Sequence, residues 1–346
     1  MSDPLELPSV ADRSPMPLVS VVTPTLNQAG FIDATLRSVA GQTYPRIEHI
    51  VLDGGSTDGT LDILRRYERS HQLRWISEPD DGMYDAVNRG LALANGEIVA
   101  YLNSDDLLLP WAVEVAVEHL MRHAETALVY GDALQIDDLS RRTVFYFQPP
   151  FRIDYLRTIG SFAQPATFWR REVHDAIGQF DASLQSSGDL DFYLRVASRF
   201  RIDRIDEFLA VMRLHPGMRT RAQAPRSIAE DAMVRQRHGF EVATGRGRRR
   251  VLRNRIGAWL DRRGLWLAFA RRATRPGTPG GWSRFLQQGS VRVSWARLLV
   301  AQMPILGLRI PGIATSGVDW LAAPSPPFRE AGRSAIDIAT TTKGLV

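Results

Sequence analysis

Ile98-Val-Ala-Tyr-Leu-Asn-Ser-Asp-Asp106 opens as a short apolar run and closes in two adjacent carboxylates. The run is too short for a typical helix and lacks polar alternation, so it reads as a strand buried on both faces of a parallel sheet. Three earlier runs share its form. Leu18-Val-Ser-Val-Val22 closes in Thr23-Pro24, Ile47 to Leu52 in Asp53-Gly-Gly-Ser-Thr-Asp-Gly59, and Leu73 to Ser77 in Glu78-Pro-Asp-Asp-Gly82. Between them apolar residues recur at helical spacing: Ile32, Leu36 and Val39, then Leu61, Leu64 and Tyr67, then Val87, Leu91 and Ala94. Strands and helices in strict alternation predict a doubly wound α/β sheet, whose ligands lie beyond the carboxyl ends of the strands. Each of these polar clusters falls at such an end.

From Ala127 to about Arg213 the pattern loosens. Strands are expected at Leu128 to Tyr130, Thr143 to Gln148, Thr167 to Trp169 and Phe208 to Met212, and a helix from Leu190 to Ser198. The expected organisation is a disordered N-terminus (1–17), an α/β domain (18–220), a basic helical section (221–275), and a linker with a largely irregular tail (276–346). The 346 residues, 44% hydrophobic, suit a soluble globular protein. The net charge of +5 comes almost wholly from arginine, since Lys343 is the only lysine. Residues 221–275 alone hold 15 arginines against 4 acids, a bias that points to phosphate or an anionic surface. The absence of cysteine excludes disulfides, thiolate nucleophiles and cysteine-held zinc. No basic n-region with an apolar h-region opens the chain, and no apolar stretch reaches spanning length. The expected location is cytoplasmic, with peripheral contact on the inner face of the membrane left open.

Asp105 and Asp106, on a turn after a buried strand, suit Mg²⁺ or Mn²⁺, hard cations that bind through few protein carboxylates plus substrate phosphates. The alternative is that Asp106 caps a helix beginning near Pro110 while Asp105 is solvated. The order of motifs bears on this choice. Val19-Ser-Val-Val-Thr-Pro-Thr-Leu-Asn27, Asp53-Gly-Gly-Ser-Thr-Asp-Gly-Thr60, Glu78-Pro-Asp-Asp-Gly-Met-Tyr-Asp-Ala-Val-Asn-Arg-Gly90 and Tyr101-Leu-Asn-Ser-Asp-Asp106 together resemble the family-2 glycosyltransferases of GT-A fold, closest to the bacterial surface-polysaccharide branch. The resemblance spans roughly residues 18 to 215.

It implies an inverting transfer of sugar from a nucleotide diphosphate donor, a UDP-sugar above all, to a hydroxyl of a saccharide or lipid-linked saccharide. By the same resemblance Thr23, Pro24 and Thr25 cradle the nucleotide and Asp53 contacts base or ribose. Asp80 or Asp81, with Tyr84 and Asn88, closes over the donor sugar and phosphates. Asn103 and Ser104 complete the donor side, while Asp105, Asp106 and His215 hold the divalent cation. Asp189 matches the catalytic base, with Asp191 in reserve. Three positions depart from the family pattern: Gly54 and Asn103 stand where Asp is frequent, and Gly188 where Glu is common. Bland readings stand beside these. Asp53 can be a turn residue, Asn88 an exposed helix residue, Asp189 a helix cap, His215 structural, and Trp169 either a face for a sugar ring or core.

The stretch from Arg246 to Arg272 interleaves arginine with Trp259, Trp266 and Phe269, which suits either a helix on an anionic leaflet or a packed appendage. Nucleic acid is not an expected partner, because no recognition module accompanies the charge. A nucleotidyltransferase would need a glycine-rich basic loop after the first strand. A processive synthase would need spanning helices and a Gln-x-x-Arg-Trp motif, and Gln72-Leu-Arg-Trp75 lies too early. A non-catalytic scaffold of the same fold would be expected to lack acids at 105, 106 and 189.

Overall fold

The apolar runs of the first half become parallel strands in the computed structural model, which describes residues 16–240 apart from 69–72, 138–142, 147, 149, 159–160 and 219–223. The chain runs β1 (Val19–Thr25), α1 (Ile32–Ala40), β2 (Ile47–Asp53), α2 (Thr60–Tyr67), β3 (Leu73–Ser77), α3 (Met83–Leu93) and β4 (Ile98–Tyr101). It continues with β5 (Leu107–Leu108), α4 (Ala112–Arg122), β6 (Thr126–Asp137), β7 (Thr143–Tyr146), α5 (Ile153–Thr158), β8 (Thr167–Arg170), α6 (Arg171–Ile177), α7 (Gly188–Ala197), β9 (Arg201–Leu214) and α8 (Ala224–Arg237).

These strands form one mixed sheet in the order β3-β2-β1-β4-β8-β6-β9-β5, with β7 paired to β6. The first four are mutually parallel, and β8 joins β4 antiparallel. β1, central to the parallel half, ends level with β2, Thr25 opposite Asp53. Successive side chains of a strand point to opposite faces, and the core divides accordingly. Ile98, Ala100 and Leu102 pack with α4 on one face, while Val99 and Tyr101 pack with α3 and α7 on the other.

β9 is longer than the expected run at Phe208 to Met212. Its early charges hide the period in sequence and are paired in space: Arg204 meets the fully buried Asp132, and Asp203 accepts from Thr126 Oγ1 at 2.7 Å. α7 begins two residues before the expected Leu190. Trp169 is fully buried, packed against Phe180 and Phe192, so it is core and presents no face to a sugar. α8 lies in the stretch assigned to the basic section, yet its Val234 is fully buried in the same core as Phe192 and Tyr193. No helix among the described residues is long and apolar enough to cross a membrane. The expectations for Arg246 to Arg272, for the linker and tail, and for the N-terminus apart from Met16 and Pro17 lie outside the described residues.

Candidate active site

The loops that leave β1 and β2 are stitched to each other. Asn27, at φ 53°, accepts the Thr57 N–H on Oδ1 at 2.9 Å and donates its own N–H to Ser56 Oγ at 2.7 Å. Ala29 N–H reaches Asp58 Oδ2 at 2.9 Å, and Gln28 N–H reaches Thr60 Oγ1 at 2.9 Å. Asp53, buried at the end of β2, accepts from the Gly55 and Ser56 N–H groups at 3.0 and 2.9 Å and from Ser77 Oγ at 2.7 Å. It therefore builds the turn it sits in.

On β1, Thr23 Oγ1 meets His49 Nε2 at 2.9 Å, Pro24 is buried, and Thr25 Oγ1 is buried with no partner among the described residues. Gly54 makes room for Asp80: a Cβ there would stand 2.6 Å from Asp80 Oδ2. The Asp80 carboxylate also accepts the Gly82 N–H at 2.9 Å, while Asp81 is exposed. The Asn88 amide bridges to Phe180, donating to its carbonyl and accepting its N–H, both at 2.9 Å. Both polar ends of Asn88 are thus engaged in bracing the segment before α7.

The acidic turn after β4 is held from two sides. Thr35 of α1, itself fully buried, lies 2.8 and 2.9 Å from the Ser104 and Asp106 carbonyls. Asp106 Oδ1 accepts the Arg213 N–H of β9 at 2.9 Å, and Arg213 Nε donates to the Asp105 carbonyl at 3.1 Å. Burial, then the neighbouring Asp105 charge, push the Asp106 carboxyl well above the ordinary range, against opposing contributions from Arg213 and Asn103.

The three expected metal ligands do not converge. Asp105 Oδ2 and His215 Nε2 face each other at 2.9 Å, while Asp106 is turned to β9 by the Arg213 backbone. No group of three acids and histidines poised for a metal occurs among the described residues. Phe31 lies against both His215, at 4.6 Å, and the Arg213 guanidinium, at 5.1 Å. Sequence alone does not mark Arg213 and Phe31 as site residues; the one signal is that Arg213 stands two residues before His215.

A chain of contacts links this turn to Asp189. Asn103 Nδ2 donates to Gln164 Oε1 at 3.2 Å, and Gln164 Nε2 donates to the Tyr101 carbonyl at 2.6 Å. The Tyr101 side chain is influenced by Tyr84, and the Tyr84 hydroxyl lies 3.5 Å from Asp189 Oδ1 and accepts the Asp189 N–H at 3.3 Å. Asn103 Oδ1 is buried without a partner among the described residues. Gly188 is explained here: a Cβ would lie 2.7 Å from the Tyr84 ring, so a glutamate has no room.

Burial pushes the Asp189 carboxyl up to about 7, Asp231 adding to the effect and the Leu190 N–H opposing it. Burial also raises Tyr84, Tyr101 and Tyr193, so these hydroxyls keep their protons beside it. Asp191 is committed elsewhere, one oxygen to Arg195 Nε and the other to His238 Nε2, both at 2.8 Å.

Comparison with known proteins identifies the family and the fold. The family profile described as Glycosyl transferase family 2 matches residues 20–178. A PGL/p-HBAD biosynthesis glycosyltransferase of Mycobacterium tuberculosis is 35% identical over 185 residues, covering 53% of this chain and 70% of the relative. Among solved structures, S. aureus TarS in complex with UDP-GlcNAc matches with TM-score 0.52 and 19% identity over 84% of this chain and 86% of its own. The mannosyltransferase PcManGT of Pyrobaculum calidifontis, in complex with GDP-Man and Mn²⁺, matches with TM-score 0.52 and 20% identity over 99% of this chain and 90% of its own. The shared fold is GT-A, a mixed α/β sheet with parallel and antiparallel strands.

Proposed function

The chain belongs to glycosyl transferase family 2, and from that premise we propose that it is a metal-dependent, inverting enzyme that uses Asp189 as its base. The proposed donor is a nucleotide diphosphate sugar, and the proposed acceptor is a hydroxyl on a saccharide or lipid-linked saccharide of the cell surface. The unit responsible is residues 18–220 together with α8. The observation that carries the reading is the Asp189 carboxyl in the first turn of α7, in contact with the Tyr84 hydroxyl, together with the facing pair Asp105 and His215 after β4 and β9.

The donor set fits a divalent cation. One carboxylate and one imidazole leave most positions to substrate phosphates, and the mixed oxygen and nitrogen set favours Mn²⁺ over Mg²⁺. A bound cation supplies positive charge against the departing diphosphate. Asp106 supports that pair from behind rather than joining it. The orphaned Thr25 Oγ1 and Asn103 Oδ1, at the ends of β1 and β4, offer polar contacts to ribose and phosphate. Asp53 and Asp80 act through the turns they hold, Ser104 through the turn braced by Thr35, and Thr23 and Pro24 from the end of β1. Asp81 is free to close over the donor, and Asn88 acts by bracing Phe180.

A base serves best when its proton affinity is near the working pH, and Asp189 at about 7 meets that condition. It takes the proton of the acceptor hydroxyl as the new bond forms at the anomeric carbon, with Tyr84 orienting the carboxylate. One in-line attack inverts the anomeric centre. Asp191, with one oxygen paired to Arg195 and the other engaged by His238 Nε2, is not assigned this step.

TarS was solved with a UDP-sugar and the archaeal mannosyltransferase with a GDP-sugar, so both nucleotides belong in the test. The full chain is incubated with a panel of UDP- and GDP-sugars, with Mn²⁺ or with EDTA, and release of nucleoside diphosphate is measured. Turnover of at least one donor, lost in EDTA, is expected. Full turnover in EDTA, or none of any sugar nucleotide with Mn²⁺, overturns the reading. The setting proposed for this activity is the cytoplasmic face of the membrane, reached through the arginine-rich section from 246 to 272.

A further inference from the structure

α8 touches the segment that delivers Asp189 at several points. Glu230 Oε1 accepts the Gln185 N–H at 2.9 Å, and Oε2 accepts the Ser186 and Ser187 N–H groups at 2.7 and 2.8 Å and Ser186 Oγ at 3.0 Å. One carboxylate thus gathers three successive backbone amides immediately before α7, whose first turn carries Asp189. Burial alone would raise Glu230, but these donors outweigh it and hold the carboxyl below its ordinary value. Asp231 accepts from Ser187 Oγ at 2.7 Å, two residues before Asp189.

The rest of α8 is anchored. Val234 is in the core, Arg235 Nε donates to the Leu156 carbonyl at 2.9 Å, Arg237 pairs with Asp181 at 2.6 Å, and His238, just past the end of α8, lies 2.8 Å from Asp191. A helix this firmly seated can fix what it grips. Carboxylates at a helix N-terminus also oppose its partial positive charge, so three of them there (Glu230, Asp231 and Asp189) compete for the same field.

We propose that Glu230 and Asp231 are positioning residues for Asp189, Glu230 by clamping residues 185–187 and Asp231 by setting a second negative charge beside the base. The proposal rests on the assignment of Asp189. Groups facing Asp189 come from three other elements: Tyr84 of α3, Tyr101 of β4 and Asp231 of α8, with Tyr193 on its own helix. Asp231 is also paired with Arg235 Nη1 at 3.3 Å, so Asp231→Asn both removes a negative charge near Asp189 and breaks that ion pair, and both changes act to lower the Asp189 carboxyl. α7 and α8 both lie past residue 178, where the family profile ends, so the clamp is built from parts outside that match.

The test compares the full chain with Glu230→Gln, Glu230→Ala, Asp231→Asn and Asp189→Asn. Hydrogen exchange at the amides of Gln185, Ser186 and Ser187 reads the clamp directly. Glu230→Ala should speed it at least about 10-fold, since the acceptor is gone, and Glu230→Gln should recover part of the protection. Carboxyl ¹³C titration, with Asp189 assigned by its disappearance in Asp189→Asn, reads the charge effect. Asp231→Asn should move the midpoint down from about 7 by at least ~0.5 pH. On the best donor of the panel, Glu230→Ala should lower kcat by about 10- to 100-fold with donor KM unchanged, the mark of a misplaced catalytic group.

The proposal is overturned if Asp231→Asn leaves the Asp189 midpoint in place and Glu230→Ala leaves exchange at 185–187 unchanged. Equal losses in donor binding and turnover for Glu230→Ala and Asp231→Asn would make the contacts merely structural and overturn it too. If Asp189→Asn keeps the parent rate, the base assignment fails instead, while exchange and titration still decide whether α8 governs this turn.

Discussion

Replacing Gly188 by Ala sets two known effects against each other at one atom. Alanine in place of glycine favours a helix by up to about 1 kcal/mol in its interior and less at the first residue, where Gly188 sits. Against this, the new Cβ would lie 2.7, 2.7 and 2.9 Å from three carbons of the Tyr84 ring. The ring has little freedom to retreat, because Tyr84 is 2% exposed and stacks on Phe180 with centroids 5.8 Å apart. Overpacking of this kind costs about 1 to 3 kcal/mol, so a net destabilisation of about 1 to 2 kcal/mol is expected. Urea unfolding measures it, and the double variant Gly188→Ala with Tyr84→Leu should lose less than the sum of the single variants. Because the displaced hydroxyl belongs to the residue that contacts Asp189, kcat should fall while donor KM holds. An unchanged or raised unfolding midpoint in Gly188→Ala would refute the steric account of this glycine.

Turnover should have an acid limb near pH 7, since Asp189 is active as a base only when deprotonated; a limb near 4 in kcat/KM would count against the assignment. The same carboxyl sets a stability trend: its folded value is raised, so its contribution is present below the unfolded carboxyl range and is lost as pH rises from about 4 through about 7. Asp189→Asn should remove that loss, which urea unfolding at pH 5 and pH 8 checks. Asp105→Ala and His215→Ala should each weaken Mn²⁺ binding in calorimetry with the fold retained, whereas Asp106→Ala should also lower the unfolding midpoint, because it frees the buried Arg213 N–H. Asn88→Ala strands both backbone groups of buried Phe180 and should cost about 2 to 4 kcal/mol in urea unfolding. Co-sedimentation with anionic vesicles should be lost at high salt and in a chain ended after Gly239; equal supernatant fractions for both chains at low salt would end the docking proposal.

What the sequence reveals about this site follows from what a strand can reveal. A buried parallel strand is a short apolar run, and its polar ending is contiguous with it, so Asp53 and Asn103 to Asp106 are legible as strand-end residues along the chain. Direction of side chains is another matter. Asp105 and Asp106 are adjacent and chemically identical, and only the pairing of the turn with Arg213, more than a hundred residues away, turns one toward His215 and the other inward. Asn88 has no sequence signature distinguishing a helix-surface amide from one that bridges Phe180. Glu230 and Asp231 are hidden by their surroundings: in a stretch dominated by arginines, two adjacent acids carry no periodic or motif signal. Trp169 stays open between sugar contact and core because a strand tryptophan looks the same in both settings.

Thr35, buried in α1, reaches the Ser104 and Asp106 carbonyls, and the loops at Asn27 and Thr57 are bonded to each other. These bonds join the loops to each other and to α1 within the fold itself. Association with a nucleotide should accordingly show a small loss of conformational entropy, with little change in backbone order around residues 27 and 104. Random substitution in the neighbourhood of Thr35 should weaken nucleotide affinity by loosening the free protein, without touching any atom the nucleotide meets.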